Sequence, residues 1–178
     1  MRIRTVMDEN YQDYKKPSML IATAFCDWKC CIEGEFDMEI CQNYHLAKGK
    51  IVDISNEKLF NRYKANKLTS AIILGGLEPF MQFKEIYDFI KYVRDNNCND
   101  DIIIYTGYNY DEIHKKIEIL RSYKNLIVKF GRYKINGRKK YDEMLGVELV
   151  SENQYAAKIL TWEEIKSIAK SNKEKRNR

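Results

Sequence analysis

The 178-residue chain has little that marks a membrane, secreted or linker-rich protein. It contains no apolar run of the eighteen or more residues that a membrane helix needs. It has only two prolines, Pro17 and Pro79, and shows no repeat, low-complexity block or linker, so a single domain spanning 1–178 is expected. The opening Met1–Asn10 turns acidic too soon for a secretory signal peptide, which sets a cytoplasmic expectation. No basic stretch is interleaved with aromatics in the way single-strand binders use. Part of the +5 formal charge sits in the tail, residues 170–178, which reads as a solvated terminus rather than a nucleic-acid arm. Five cysteines are an odd number in a chain this large, against a disulfide-stapled module. Histidines are just two, His45 and His114.

What is present is an alternation of apolar runs and amphipathic segments. Met19–Phe25, Thr69–Leu74, Asp101–Thr106 and Leu126–Phe130 read as buried strands. Between them, Ser55 offers a helix cap, residues 82–96 repeat apolar side chains at helical spacing, and Asp111–Tyr123 forms a further helix. Thr161 caps a last helix whose Trp162, Ile165 and Ile168 are expected to pack back on the sheet. Strand and helix in alternation imply an α/β fold with a mostly parallel sheet. Residues 1–18 are set apart as an N-terminal extension, and residues 26–43 read as a long loop.

That loop carries Cys26, Cys30 and Cys41 within sixteen residues, with Cys31 beside Cys30. Thiolates are soft ligands suited to zinc, copper(I) or iron–sulfur clusters. Structural zinc sites usually draw on Cys-x-x-Cys knuckles, and the sequence has none. A cubane cluster is wider than one ion and tolerates a long loop, and three thiolates leave one iron open. Taken alone, the loop is compatible with a cluster, a zinc site or free thiols. Cys98 stands apart, as a free buried or half-buried thiol.

Gly75-Gly76-Leu77-Glu78-Pro79 follows the second apolar run. Two glycines let backbone amides approach a ligand closely and permit positive φ. Glu78 supplies a carboxylate able to receive an ammonium group, and Pro79 stiffens the turn. Ligands of parallel α/β sheets bind at the carboxyl ends of strands. Cys26, Gly75, Thr106-Gly107-Tyr108 and Gly131-Arg132 all follow expected strands, which would bring them to one rim.

Cys-x-x-x-Cys with a third cysteine, then Gly-Gly and Glu-Pro after the next strand, resembles the radical S-adenosylmethionine (SAM) superfamily. Within it the chain is similar to the small activating proteins of anaerobic ribonucleotide reductase. Cys41-Gln42-Asn43 is similar to the Cys–aromatic–Asn there, the strand ending in Thr106-Gly107-Tyr108 to their Thr-Gly-Tyr, and Asn153-Gln154 to their Ser-Asn-Gln. Two departures stand out: ten residues separate Cys30 from Cys41 where two are usual, and Leu77 precedes Glu78-Pro79. The chain therefore looks like a variant with an expanded cluster loop.

The resemblance implies a single-domain partial (β/α) barrel with helices on its outer face. It implies a 4Fe–4S cluster on Cys26, Cys30 and Cys41, with Cys30 rather than Cys31 because it keeps the three-residue gap. SAM would chelate the open iron. Ile40 would contact adenine and Asn43 would belong to the same site. Gly75 and Gly76 would line the methionine end, with Glu78 near its ammonium and Pro79 in the same site. Thr106 and Tyr108 would meet the ribose or methionine portion, with Gly107 in the same site. Lys129 or Arg132 would meet the carboxylate or the partner chain, plain solvation being the alternative for both. His45 is set aside, since a fourth protein ligand would block SAM. The implied activity is reductive SAM cleavage, and the implied partners are a glycyl-radical enzyme (the large subunit of anaerobic ribonucleotide reductase) and an electron donor such as flavodoxin or ferredoxin. Two alternatives remain: a deazapurine-synthase-like radical-SAM enzyme on a small molecule, and a zinc- or cluster-binding module without turnover.

Overall fold

The computed structural model describes residues 1–176; Asn177 and Arg178, the end of the basic tail, lie outside the described residues. The chain begins with β1 (Arg2–Asn10) and β2 (Ser18–Thr23). The cysteine loop then holds a short helix α1 (Lys29–Glu33), a 3-10 turn (Met38–Ile40) and α2 (Tyr44–Lys48). After β3 (Val52–Asp53) come α3 (Asn56–Ala65), β4 (Ala71–Gly75), a 3-10 turn (Pro79–Gln82) and α4 (Phe83–Asp95). Next are β5 (Asp101–Tyr105), α5 (Tyr110–Leu120) and β6 (Leu126–Phe130). The chain continues through β7 (Lys140–Asp142), β8 (Val147–Leu149), β9 (Tyr155–Ile159) and α6 (Trp162–Arg176).

Seven strands form one sheet in the order β3-β1-β2-β4-β5-β6-β9, and β7 and β8 pair separately. The four central strands are parallel; β1 and β9 run antiparallel to them at the flanks, and β3, paired antiparallel with β1, runs in the central direction again. The central strands are the four apolar runs, and their alternate residues feed two cores. On one face Ile21, Ile72, Leu74, Ile104 and Val128 pack against Leu59 of α3, Phe89 and Ile90 of α4, and Ile113 and Ile117 of α5. Each fully buried aliphatic side chain of this kind contributes about 1.5–3 kcal/mol. On the other face Ile73, Ile103 and Ile127 meet Tyr14, Leu145 and Leu149. Helices thus cover one face, and the β7–β8 hairpin with the β1–β2 connection covers part of the other.

Two expectations are corrected. Residues 1–18 are not an appendage: β1 pairs with β2 along its length and carries β3 on its far edge. Its periodicity is masked because the register shifts between Ile3 and Thr5 and again between Met7 and Asn10, so apolar side chains do not stay on one face. Nor does α6 dock by the expected stripe. Trp162 and Ile168 are exposed, and Arg121 stacks over the Trp162 ring at 5.8 Å. Three apolar residues among many charged ones bury too little to hold a helix against the sheet. No described helix is long and apolar enough to cross a membrane.

Candidate functional site

The carboxyl ends of β2, β4, β5 and β6 open into a cavity of about 310 Å³. Cys26, Cys30, Cys31, Cys41 and Asn43 line its mouth, together with Gly75, Gly76, Glu78, Thr106, Gly107, Tyr108, Lys129 and Arg132. From there it continues along the helix-free face of the sheet, past Leu20, Ile73 and Tyr105, to Asp13 and residues 147–150. Of the expected site residues, Ile40 and Pro79 are not brought to the cavity. Ile40 is 50% exposed on the outside of the loop, and Pro79 is buried at the start of its 3-10 turn.

Backbone contacts fix the rim. The Glu78 amide donates to the Phe25 carbonyl at 2.7 Å, joining the glycine turn to the start of the cysteine loop, and Thr23 Oγ1 donates to the Gly75 carbonyl at 3.1 Å. Gly76 has φ +79°, and a Cβ there would lie 2.8 Å from Ala22 Cβ, so the turn can pass this close only without a side chain. Gly107 matters for a different reason: a Cβ there would lie 3.0 Å from Cys30 Sγ.

Glu78 is buried and accepts three hydrogen bonds, from the Phe80 amide at 3.1 Å, Thr106 Oγ1 at 2.7 Å and the Gly107 amide at 2.8 Å. Burial nevertheless prevails over these donors and raises its pKa to about 6. The carboxylate is therefore held in place and tied to the β5 end.

Burial also favours the protonated form of three of the thiols, Cys26, Cys30 and Cys31. It pushes Cys26 up to about 12, although the Trp28 amide donates to its Sγ at 3.3 Å. It raises Cys30 too, against the opposing pull of the Tyr133 amide, Arg132 and Lys129, and it lifts Cys31 to about 11. Ligation requires thiolates, so a bound cationic core would have to drive the protons off. All five cysteines are free, and Cys98 is buried away from the rim.

The two cations at the β6 end differ sharply. Burial works against the Arg132 charge, but ion pairs with Glu33 and Glu112 outweigh it and hold its pKa well above the ordinary value. Its guanidinium also donates to the Gly107 carbonyl at 2.5 Å, so this side chain is committed to the protein. Lys129 is equally buried but enters no ion pair among the described residues, and its hydrogen bond is to the Gly131 carbonyl at 3.3 Å. Burial lowers its pKa to about 8. The side-chain carbonyl of Gln154, also at the cavity, is buried without a hydrogen-bond partner. Sequence alone left both basic residues open between binding and solvation. Only the folded strand end, covered by residues 131–133 and 151–154, separates their roles.

The donor set suits a cluster. Four thiols stand around an extended cavity, whereas among the described residues no three His, Cys, Asp or Glu side chains gather closely enough to hold a single ion. His45 lies exposed on α2 against Tyr44, and His114 lies exposed on α5. Soft ligands at the carboxyl rim of a parallel α/β sheet place the chain in the class of cluster-bearing α/β proteins. The chain belongs to the 4Fe-4S single cluster domain family, whose profile matches residues 24–156, about three quarters of its length. It is thus an iron–sulfur protein, and the matched stretch contains all four rim cysteines. No curated protein and no solved structure gives a match.

Proposed function

We propose that this chain is a radical-SAM enzyme that cleaves SAM reductively, and that it serves as the activating protein of a glycyl-radical enzyme of the anaerobic ribonucleotide reductase type. The observation that carries the proposal is the meeting of the thiols, the Gly75-Gly76 turn and buried Glu78 around one cavity. The family is one associated with radical-SAM proteins. Parallel β2, β4, β5 and β6, with helices along one face, are compatible with a partial (β/α) barrel.

In this reading Cys26, Cys30 and Cys41 hold a 4Fe–4S cluster. Gly75 and Gly76 lie along the methionine end of SAM, and Glu78 accepts from its amino group. Lys129, rather than the fully engaged Arg132, meets its carboxylate. Thr106 and Gly107 keep Glu78 oriented, and Tyr108, whose hydroxyl donates to Asp27 at 2.5 Å, closes the β5 side. A bound cluster would supply one electron to the SAM sulfonium; the C5′–S bond would then break to methionine and a 5′-deoxyadenosyl radical, which would take hydrogen from a glycine of the partner. The electron comes from a cytoplasmic donor such as flavodoxin or ferredoxin.

One observation favours a second reading. The cavity runs on beyond the rim to Asp13 and residues 147–150, which is room for a small-molecule substrate, as in a deazapurine-synthase-like enzyme. The test of radical-SAM chemistry is anaerobic iron–sulfide reconstitution followed by SAM and a strong reductant. Release of 5′-deoxyadenosine is expected; a protein that holds zinc and leaves SAM intact would instead be a binding module. Hydrogen transfer from a partner glycine, read as deuterium passing from that labelled glycine into 5′-deoxyadenosine, then separates the two enzyme readings.

A further inference from the structure

The ten residues between Cys30 and Cys41 do more than span a gap. Residues 32–40, Ile-Glu-Gly-Glu-Phe-Asp-Met-Glu-Ile, hold four carboxylates and no basic side chain in a chain whose formal charge is +5. Interleaved with the acids are three large apolar side chains turned to solvent: Ile32 is 69% exposed, Met38 48% and Ile40 50%. Glu33 is spent on Arg132. Glu39 accepts from Tyr44 and lies near Lys48. Glu35 and Asp37 enter no ion pair among the described residues.

The segment is nonetheless ordered from within. The Gly34 and Phe36 amides donate to Cys30 and Cys31 carbonyls at 3.0 and 3.1 Å, the Ile40 amide donates to Asp37 at 3.0 Å, and Phe36 packs edge-on against Tyr133. An open groove of about 420 Å³ lies beneath it, lined by Trp28, Ile32, Phe36 and Met38 with Glu35 and Asp37 at its sides. Asp27, Trp28 and Cys31 line both this groove and the main cavity. Whatever lies in the groove is therefore at the cavity mouth.

Exposed apolar side chains on an ordered surface lose little entropy on docking, and such patches mark interaction sites. The charge selects the partner. A second copy presenting this face would set carboxylates against carboxylates, and an electron carrier with an acidic face would meet the same repulsion. We propose that residues 32–40 and the groove beneath them dock a protein segment that alternates lysine or arginine with apolar side chains, and so deliver that partner to the cavity mouth. The proposal goes beyond the enzymatic reading above and does not require turnover.

The test uses the full-length protein and a fluorescent twelve-residue peptide of alternating lysine and leucine, followed by anisotropy in low salt. Because the protein is basic overall, binding has to use a local acidic surface. A variant carrying Glu35→Gln, Asp37→Asn and Glu39→Gln is expected to bind at least tenfold more weakly, and so is one carrying Ile32→Ser and Met38→Ser. Both are expected to keep the wild-type Tm and iron content, since these side chains face solvent. Raising the salt from 0.05 to 0.3 M should weaken the wild type and leave the charge variant almost unchanged. Wild-type affinity in both variants would overturn the proposal, as would loss of iron from them, which would make the loop structural. Iron content reports on the cluster independently, so failure of docking and failure of the cluster reading are told apart.

Discussion

Arg132 grips Glu33 at two points, Nε to Oε2 and Nη2 to Oε1, each at 2.9 Å. Glu33 ends α1, and Arg132 follows β6. The same guanidinium reaches Glu112 at 2.7 Å, and Glu112 in turn meets Lys29, at the start of α1, at 2.5 Å. Glu112 also completes the capping box of α5, accepting from the Asn109 amide at 2.8 Å. Its pKa is drawn down to about 2, foremost by Arg132. A five-residue helix is too short to hold itself together. The one that carries Cys30 and Cys31 is tied at both ends to the sheet rim by this network.

Arg132→Gln is therefore expected to release α1 while leaving the sheet intact. Loss of a mostly buried charge that faces two half-exposed carboxylates should lower Tm by roughly 4–8 °C in a chain of this size. Reconstituted iron content should fall with it. Arg132→Lys keeps the charge but not the fork, and should recover only part of both. Unchanged iron loading in Arg132→Gln would show that α1 stands without the clamp.

Cys30 and Cys31 are adjacent, and both line the cavity, so substitution must decide between them. Cys30 is half-buried against Gly107, with the Tyr133 amide helping to offset its burial, while Cys31 is fully buried. Cys26→Ala, Cys30→Ala and Cys41→Ala are each expected to abolish the visible absorption of the reconstituted cluster, and Cys31→Ala to retain most of it. The reverse result for the adjacent pair would move the second ligand to Cys31.

Two glycines of the rim should fail in different ways. Gly76→Ala meets positive φ and a backbone neighbour together, so it should cost about 1–3 kcal/mol of stability with or without a cluster. Gly107→Ala has no positive φ to resist, but its new methyl would press on Cys30 Sγ. Its apoprotein Tm should stay within a few degrees of wild type while cluster loading falls several-fold. Thermal melts of the apoproteins beside iron analysis separate the two effects. A fall in stability equal to that of Gly76→Ala would show that Gly107 is needed for the fold rather than for the thiol.

The central sheet was legible because β2, β4, β5 and β6 are buried on both faces and so read as unbroken apolar runs. The helices α3, α4 and α5 were legible from their periodic buried faces. The three-residue strands β7 and β8 were not, since their burial depends on the sheet they cover, and β1 was hidden by its register shifts. At the site, cysteine spacing and the glycine turn pointed to the rim. The clamp on Arg132 and the lone charge of Lys129 could not be read, because each depends on partners distant in sequence: Glu33 lies 99 residues from Arg132.

Glu78 gives the pH dependence its sign. Burial raises its pKa in the folded protein from the ordinary 4.5 to about 6. Its protonation therefore favours the fold at low pH, and that contribution is lost as pH rises through about 6. Above that pH the ionised carboxylate carries a desolvation cost that its three hydrogen-bond donors only partly offset, and an amino group donated by SAM would relieve the remainder. SAM is thus expected to raise the Tm of the cluster-loaded protein by several degrees at pH 7.5 and by little at pH 5, with a midpoint near 6. Glu78→Gln cannot satisfy both the Phe80 and Gly107 amides, whose donors face its two oxygens. It should lose at least tenfold in SAM affinity and flatten the pH profile. A SAM-induced shift equal at both pH values in the wild type would remove Glu78 from the binding site.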